Sequence, residues 1–253
     1  MLEGRVAIVT GAGMGMGAAT ARLFAAKGAR VMLCDIDPAG GNAVAEAIRG
    51  NGGTAAFVQA DVSREDEVAA MVAHTVEVYG RLDCAVNNAA VAPDDKPIAE
   101  ADMAQFDRVI AVDLKGVLLC MKYQIRQMLA QSDGRGAIVN IGSTSSVKPR
   151  PNNAAYVAAK HAVIGLTKSG AIEYADRGIR VNAVMPGAID TPMIRRSLER
   201  LGRTEAEVAA DLTLLGRLGK PEEVAEASLW LCSDAASFVT GHALAVDAGF
   251  LIR

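Results

Sequence analysis

The sequence predicts an α/β fold, in which a seven-stranded parallel sheet forms the middle layer of a doubly wound three-layer sandwich. Short apolar segments alternate with longer helical patterns along all 253 residues. The apolar segments are continuous rather than alternating, which is typical of strands buried on both faces. The helices between them are long enough to connect parallel strands, and right-handed crossovers then cover both sides of the sheet.

The first strand is predicted at Arg5–Thr10, directly before a glycine-rich turn. The other segments share its short, apolar character and end at Gly, Asp or Asn. The remaining strands are predicted at Arg30–Cys34, Ala55–Gln59, Leu82–Val86, Gly136–Ile141, Arg180–Val184 and Ala243–Val246. The order of strands and helices predicts a Rossmann-type arrangement.

Helical patterns occupy the segments between these strands. Gly28 should end the first helix, and Ser63 is a candidate N-cap for the third. The helices are predicted at about Met16–Lys27, Ala39–Arg49, Arg64–Tyr79, Ala101–Ala130, Ala154–Arg177 and Pro221–Leu231. Residues 190–220 interrupt the alternation, with helical composition broken by proline and glycine. We interpret this segment as a lid inserted in a single domain, 1–253.

Composition narrows the classes of partner. The net charge is −3 and no run of Lys or Arg stands out, so we expect no nucleic-acid partner. The four cysteines and three histidines are scattered, which predicts no metal site. Free thiols, the missing basic leader and the lack of a long apolar segment predict a soluble cytoplasmic protein without a membrane partner.

The turn Thr10–Gly17 lies between the first strand and the first helix. Glycines let the backbone approach a pyrophosphate, and the helix N-terminus directs N–H groups at the anion. A strand before the turn and a helix after it are the context that a dinucleotide site requires. The predicted cofactor-binding positions of this turn are Gly11, Met14, Gly15, Met16 and Gly17.

Asp35 ends the second strand, eighteen residues after Gly17. A carboxylate there can accept hydrogen bonds from the adenosine ribose and would repel a 2′-phosphate. Neither the turn nor Ile36, Asp37 and Pro38 supplies a Lys or Arg to neutralise that phosphate. We therefore predict NAD rather than NADP, with Asp35 and Ile36 at the ribose. The alternative role, capping the next helix, better suits Asp37.

Tyr156 and Lys160 are four residues apart, which places both on one face of a helix. An ammonium group one turn away favours the phenolate form of a tyrosine. The pair is therefore a candidate proton-transfer site. The spacing alone also occurs by chance on solvated helices.

In combination these features resemble the short-chain dehydrogenase/reductase family along essentially the whole chain. The motifs of that family match Thr10–Gly17, Asp61 with Val62, Asn87–Ala90, Ser143, Tyr156 with Lys160, and Pro186–Thr191. The resemblance implies that Asp61, Val62 and Asn88 lie at the cofactor. It also implies that Ile189 and Thr191 contact the nicotinamide end.

The resemblance implies a catalytic set of Ser143, Tyr156 and Lys160. Ser143 would hold the substrate oxygen, Tyr156 would transfer the proton, and Lys160 would bind the nicotinamide ribose. Spacing from the tyrosine selects Ser143 over Thr144, Ser145 and Ser146. The resemblance further implies a homotetramer with the helices at 101–130 and 154–177 as its interface.

The chain departs from the family pattern at two positions. Asp113 stands where the family usually has Asn, a residue that helps to hold a water molecule linking the lysine to solvent. Asp113 is thus a candidate for the proton relay, and a purely structural role in the helix stays open. Ala90 replaces a glycine, and we expect this extra methyl group to be tolerated.

The sequence resembles family members that oxidise cyclic secondary alcohols, which predicts a cyclic alcohol or diol as substrate. The alternatives are a 3-oxoacyl or steroid-type ketone reductase and, in another class, a non-catalytic NAD-binding scaffold. We expect specificity to come from Val91–Ile98, Thr144–Asn153 and Asp190–Gly216. Arg150 could bind an anionic substrate group or face solvent. Met193, Ile194, Leu198 and Leu201 could pack normally or contact substrate.

Overall fold

The computed structural model describes residues 1–253 and contains one parallel sheet with the strand order β3-β2-β1-β4-β5-β6-β7. The predicted fold class is confirmed. From β1 the chain adds β2 and β3 on one side of the sheet, and then returns to add β4 and the later strands on the other side of β1. The switch point therefore lies between β1 and β4. The strands are β1 Val6–Thr10, β2 Arg30–Asp35, β3 Thr54–Gln59, β4 Cys84–Asn87, β5 Gly136–Ile141, β6 Ile179–Pro186 and β7 Ala243–Val246.

Both faces of the sheet are buried. Ala7 and Val9 of β1 belong to a core that also contains Phe24 and Leu229, whereas Ile8 points into a second core with Met121. This alternation explains why β1 is apolar at every position. The helices are α1 Gly15–Ala26, α2 Pro38–Gly50, α3 Glu65–Tyr79, α4 Met103–Val109, α5 Val117–Ala130, α6 Ala154–Tyr174, α7 Pro192–Leu201, α8 Glu205–Leu212 and α9 Pro221–Cys232.

The helix predicted at Ala101–Ala130 is not uniform. It begins at Met103 and passes through a π-helical segment, Ile110–Gly116, between α4 and α5. Gly116 lies against the loop after β3, where a Cβ atom would be 2.9 Å from Cγ2 of Val62. Such π-helical segments often occur at functional sites.

The prediction that Ser63 caps the third helix is wrong. Its backbone N–H and its hydroxyl group both donate to Oδ1 of Asp61, at 2.9 and 2.7 Å. The helix begins two residues later, after Arg64. Gly28 does follow the end of α1, and its φ of +91° is a conformation that favours glycine.

Residues 190–220 contain α7 and α8. Ile194 and Leu198 of α7 pack on a small cluster formed by Ala188, Val208 and Leu218. The packing interpretation therefore holds for these two apolar residues, which attach the segment to the end of β6. No helix of the protein is long and apolar enough to cross a bilayer.

Candidate active site

The predicted site residues converge on the carboxyl edge of the sheet. Gly11, Asp35 and Asn88 follow or end β1, β2 and β4, while Ser143 and Ile189 follow β5 and β6. Ligands of doubly wound folds bind along this edge, next to the switch point.

Asn88, which follows β4, stabilises the glycine-rich turn by hydrogen bonds. Nδ2 of Asn88 donates to the carbonyl oxygens of Thr10 and Gly11, at 2.9 and 3.1 Å. Gly11 has a φ of +62°, and a Cβ atom on Gly17 would be only 2.1 Å from the oxygen of Gly11. The turn therefore requires glycine at both positions, and a turn of this kind lets the backbone approach a pyrophosphate.

The carboxylate of Asp35 lies at the outer end of this turn. Its Oδ2 accepts from the backbone N–H of Gly13 at 2.8 Å, and its Oδ1 accepts from Asp37 at 3.0 Å. No lysine or arginine forms an ion pair with it, and the next residue, Ile36, is exposed. Asp37 instead caps α2, through the N–H groups of Ala39 and Gly40. The Asp35 carboxylate thus borders the glycine-rich turn, at the position where we expect the adenosine ribose.

Other predicted cofactor positions border the same turn. Met14 is the N-cap residue of α1 and is exposed, whereas Met16 packs against the core. Thr191 caps α7 and lies close to Gly15, since a Cβ atom on that glycine would be 3.5 Å from Cγ2 of Thr191. The glycine-rich turn therefore meets the Pro186–Thr191 segment.

Three more of the predicted cofactor positions are fixed by hydrogen bonds or by burial, namely Asp61, Val62 and Ile189. Asp61 binds Ser63 through its side chain, and its backbone N–H donates to Glu67 at 2.7 Å. Val62 and Ile189 are buried, and Ile189 pairs with Gly219 as an isolated bridge.

Tyr156 and Lys160 lie one turn apart at the start of α6. Nζ of Lys160 is 5.4 Å from the centroid of the Tyr156 ring and donates to the carbonyl oxygen of Ile141 at 3.2 Å. Lys160 is 1% exposed, whereas Tyr156 is only partly buried. A buried cation therefore lies beside a phenol ring that stays partly exposed.

Asp113 of the π-helical segment is the ionic partner of that lysine. Its Oδ2 is 3.2 Å from Nζ of Lys160, and its Oδ1 accepts from the backbone N–H of Val91 at 2.9 Å. Burial lowers the pKa of Lys160, but the Asp113 carboxylate and Tyr156 outweigh it and leave that pKa raised. Burial raises the pKa of Asp113 against the opposing effect of Lys160. Both groups are buried, so their charges depend on one another.

Ser143 follows β5 with an extended backbone. Its Oγ accepts from the N–H of Ser145 at 3.0 Å, and Ser146 donates to the carbonyl oxygen of Lys160 at 2.7 Å. The rival hydroxyl residues Thr144, Ser145 and Ser146 are each 6% exposed, whereas Ser143 is only partly buried. Of these hydroxyl residues, Ser143 is the most exposed.

Asp94 is a functional candidate that sequence reasoning missed. Its carboxylate accepts from the backbone N–H groups of Ala155 and Tyr156, each at 3.0 Å. The side chain of Asn153, the N-cap residue of α6, does not cap the helix. The sequence carries no signal of this, because Asn153 is itself a favourable N-cap residue.

A doubly wound sheet, a glycine-rich turn at its switch point and a Ser, Tyr and Lys set at the same edge define a dinucleotide-dependent oxidoreductase. Comparison with known proteins agrees. Residues 11–251 match the sequence profile of a family described as enoyl-(acyl carrier protein) reductase.

Three curated relatives align with nearly the whole chain. A short chain dehydrogenase/reductase, astE, of Aspergillus oryzae is 45% identical, over 98% of this chain and 95% of its own. The 2,5-dichloro-2,5-cyclohexadiene-1,4-diol dehydrogenase of Sphingobium indicum is 44% identical, over 98% of each. The cis-4-hydroxycyclohexanecarboxylate dehydrogenase of Sinomonas cyclohexanicum is 47% identical, over 97% and 96%. The chain belongs to the short-chain dehydrogenase/reductase family.

Solved structures agree with this assignment. Levodione reductase is 34% identical and superposes with a TM-score of 0.95 over the full length of both chains. The 3-ketoacyl-(acyl-carrier-protein) reductase of Brucella melitensis, solved with NADH, is 38% identical with a TM-score of 0.90, over 99% of this chain and 100% of its own. The protein is thus an oxidoreductase acting on CH–OH groups, and its family uses a nicotinamide cofactor.

Proposed function

We propose that the protein interconverts a cyclic secondary alcohol or diol and the corresponding ketone, using NAD(H) as cofactor. The observation that carries this proposal is the buried Lys160 ammonium, held by Asp113 and Ile141 behind the ring of Tyr156. A pure dinucleotide-binding scaffold would have no need of a dehydrated cation beside a phenol.

The protein's own groups handle the proton. In the oxidation direction, the Lys160 cation stabilises Tyr156 as the phenolate, which accepts the proton of the substrate hydroxyl group and becomes a neutral phenol. Ser143 donates a hydrogen bond to the substrate oxygen and stabilises charge that develops there. Asp113 keeps Lys160 protonated and is our candidate for the far end of the proton relay. The nicotinamide ring, when bound, accepts or supplies the hydride.

Asp35 supports NAD over NADP. Its carboxylate has no cationic neighbour, so a 2′-phosphate placed beside it would meet unscreened like charge. Gly11, Gly15, Gly17 and Asn88 would hold the pyrophosphate side, and Asp61 with Val62 the adenine side. Ile189, Thr191 and Lys160 would hold the nicotinamide side.

The proposed substrate class rests on the relatives. Two of them, at 44% and 47% identity over nearly full length, are named for a cyclohexadienediol and a hydroxycyclohexanecarboxylate. The alternative, a 3-oxoacyl or steroid-type ketone reductase, has weaker support in the 38% identical ketoacyl reductase. We propose that segments 91–98 and 144–153, with the lid at 190–220, select the substrate.

We also propose a cytoplasmic homotetramer. The four cysteines are all free and buried, which suits a reducing compartment. Leu118 of α5 and Ile172 of α6 expose apolar side chains on the two helices expected to pair between subunits, and Ile172 is 84% exposed.

A spectrophotometric screen for NADH formation tests the proposed function. The screen should include cyclohexanol and cis-4-hydroxycyclohexanecarboxylate, with steroidal and 3-hydroxyacyl alcohols as rivals. We expect the cyclic alcohols to give the highest kcat/KM with NAD. In Asp35→Ala, the kcat/KM measured with NAD should exceed that measured with NADP by a smaller factor than in the wild type. A wild-type preference for NADP would exclude the proposed cofactor, and turnover only of acyl substrates would exclude the proposed substrate.

A further inference from the structure

The catalytic helix does not supply its own N-terminal cap. Helix α6 begins at Ala154, and its first N–H groups have no partner within the helix. Asn153 precedes it, but its amide group donates to the carbonyl oxygen of Asp94 instead. The cap has to come from another part of the chain.

Asp94 provides it from 61 residues away. Oδ2 accepts from the N–H of Ala155 and Oδ1 from that of Tyr156, so one carboxylate bridges two consecutive amide groups. Asp94 is 9% exposed, which shields these bonds from water. The second bond holds the backbone of the proton-transferring residue itself.

The segment around Asp94 is anchored on several sides. The carbonyl oxygen of Pro93 accepts from Gln105 of α4 at 3.3 Å. The neighbouring Asp95 pairs with Arg200 of α7 in the lid. Val91, three residues earlier, donates its N–H to Asp113. Residues 91–95 belong to the segment that we expect to contact substrate. They also contact α7 of the lid, Asp113 and the start of α6.

From this arrangement we infer that Asp94 is a positioning residue, whose carboxylate fixes the first turn of α6 and the pose of Tyr156 relative to substrate. The inference rests on the proposed function for its kinetic consequence. A tyrosine displaced by a fraction of an ångström transfers protons poorly even where substrate and cofactor still bind.

The test compares Asp94→Asn with Asp102→Asn. Asp102 caps α4 in the same way, through the N–H groups of Ala104 and Gln105 at 2.9 and 3.3 Å, but it is exposed and touches no catalytic group. We expect Asp94→Asn to lower kcat for cyclohexanol oxidation by roughly tenfold or more. The KM for NAD should stay within about threefold, because the cofactor turn is not touched. Asp102→Asn should leave kcat within about twofold of wild type.

Amide hydrogen exchange provides a readout that does not need substrate. Exchange at Ala155 and Tyr156 should speed up in Asp94→Asn and stay unchanged in Asp102→Asn. Unchanged exchange, an unchanged kcat, or an equal loss of kcat in both variants would overturn the inference. If the wild type does not oxidise cyclohexanol, the proposed substrate fails, and exchange at these two amides alone decides whether Asp94 fixes the helix.

Discussion

At the scale of single residues, the buried pair of Lys160 and Asp113 sets the chemistry of the site. Removing two charges from water costs several kcal/mol for each ion, and the mutual attraction offsets this only with good geometry. Here the ammonium group has the carboxylate and one carbonyl oxygen as partners. Such a pair contributes little net stability, so its presence beside Tyr156 is better explained by proton transfer.

Asp113→Asn tests this explanation. Removing the carboxylate should lower the pKa of Lys160, because burial then acts with less opposition. The alkaline limb of the kcat profile should therefore move to lower pH. Asp107→Asn, an exposed change in α4, is the control. An unchanged profile would support a purely structural role for Asp113.

The same variant makes a prediction for stability. A lysine whose folded-state pKa is raised stabilises the fold below its ordinary pKa and loses this effect as pH rises through the raised value. In Asp113→Asn the folded-state pKa of Lys160 falls toward or below its ordinary value, so this stabilising contribution should shrink or disappear. Breaking one side of a buried pair should also lower the free energy of unfolding by about 3 kcal/mol near neutral pH. Urea unfolding at several pH values measures both effects, and equal stability at every pH would contradict them.

At the scale of secondary-structure elements, the strands and most helices were predictable because apolar runs and glycine or proline boundaries are local signals. The distant contacts were not. Nothing near residue 154 indicates that Asp94 caps α6. The π-helical segment Ile110–Gly116 carries no distinct sequence pattern. Its contacts are distant in the chain: Gly116 lies against Val62, and Asp113 accepts from the N–H of Val91. The predicted cap Ser63 failed because Asp61 competes for its hydroxyl group.

The turn between β1 and α1 yields a prediction at this scale. A Cβ atom on Gly17 would meet the backbone oxygen of Gly11 at 2.1 Å, so Gly17→Ala must distort the turn. We expect the NADH affinity to fall by about tenfold or more, measured by fluorescence titration. Gly50→Ala is the control, because that position at the C-terminal end of α2 is open and the change should leave the NADH affinity unchanged. Equal NADH affinity in Gly17→Ala and wild type would contradict the assigned role of the turn.

At the scale of the whole molecule, the sheet brings residues from six strand ends to one edge, although they are spread from Gly11 to Thr191 in the chain. The sequence motifs indicated which residues to expect at the site, and the structure brings them to the same edge of the sheet. Their geometry could not be predicted, because it depends on the packing of α6 against the π-helical segment. The homotetramer is a proposal at this scale, and it rests on the family resemblance.

Exposed Ile172 makes the assembly testable. A charge on an apolar interface is costly to bury, so Ile172→Glu should dissociate the tetramer. Sedimentation should give a mass about four times 26.3 kDa for the wild type and a smaller mass for the variant. Val78→Glu changes an exposed residue of α3 and should leave the mass unchanged. A monomeric wild type would refute the proposed assembly.

The most direct test of the central claim is the turnover of Tyr156→Phe, measured alongside its NADH affinity. The change removes one hydroxyl group and leaves the ring that packs beside Lys160. We predict that kcat for cyclic alcohol oxidation falls about 10³-fold while NADH binds as in the wild type. Tyr79→Phe, whose hydroxyl group contacts only the carbonyl oxygen of Val31, should retain full activity. Turnover of Tyr156→Phe within a few fold of wild type would contradict the assignment of Tyr156 as the proton-transferring group.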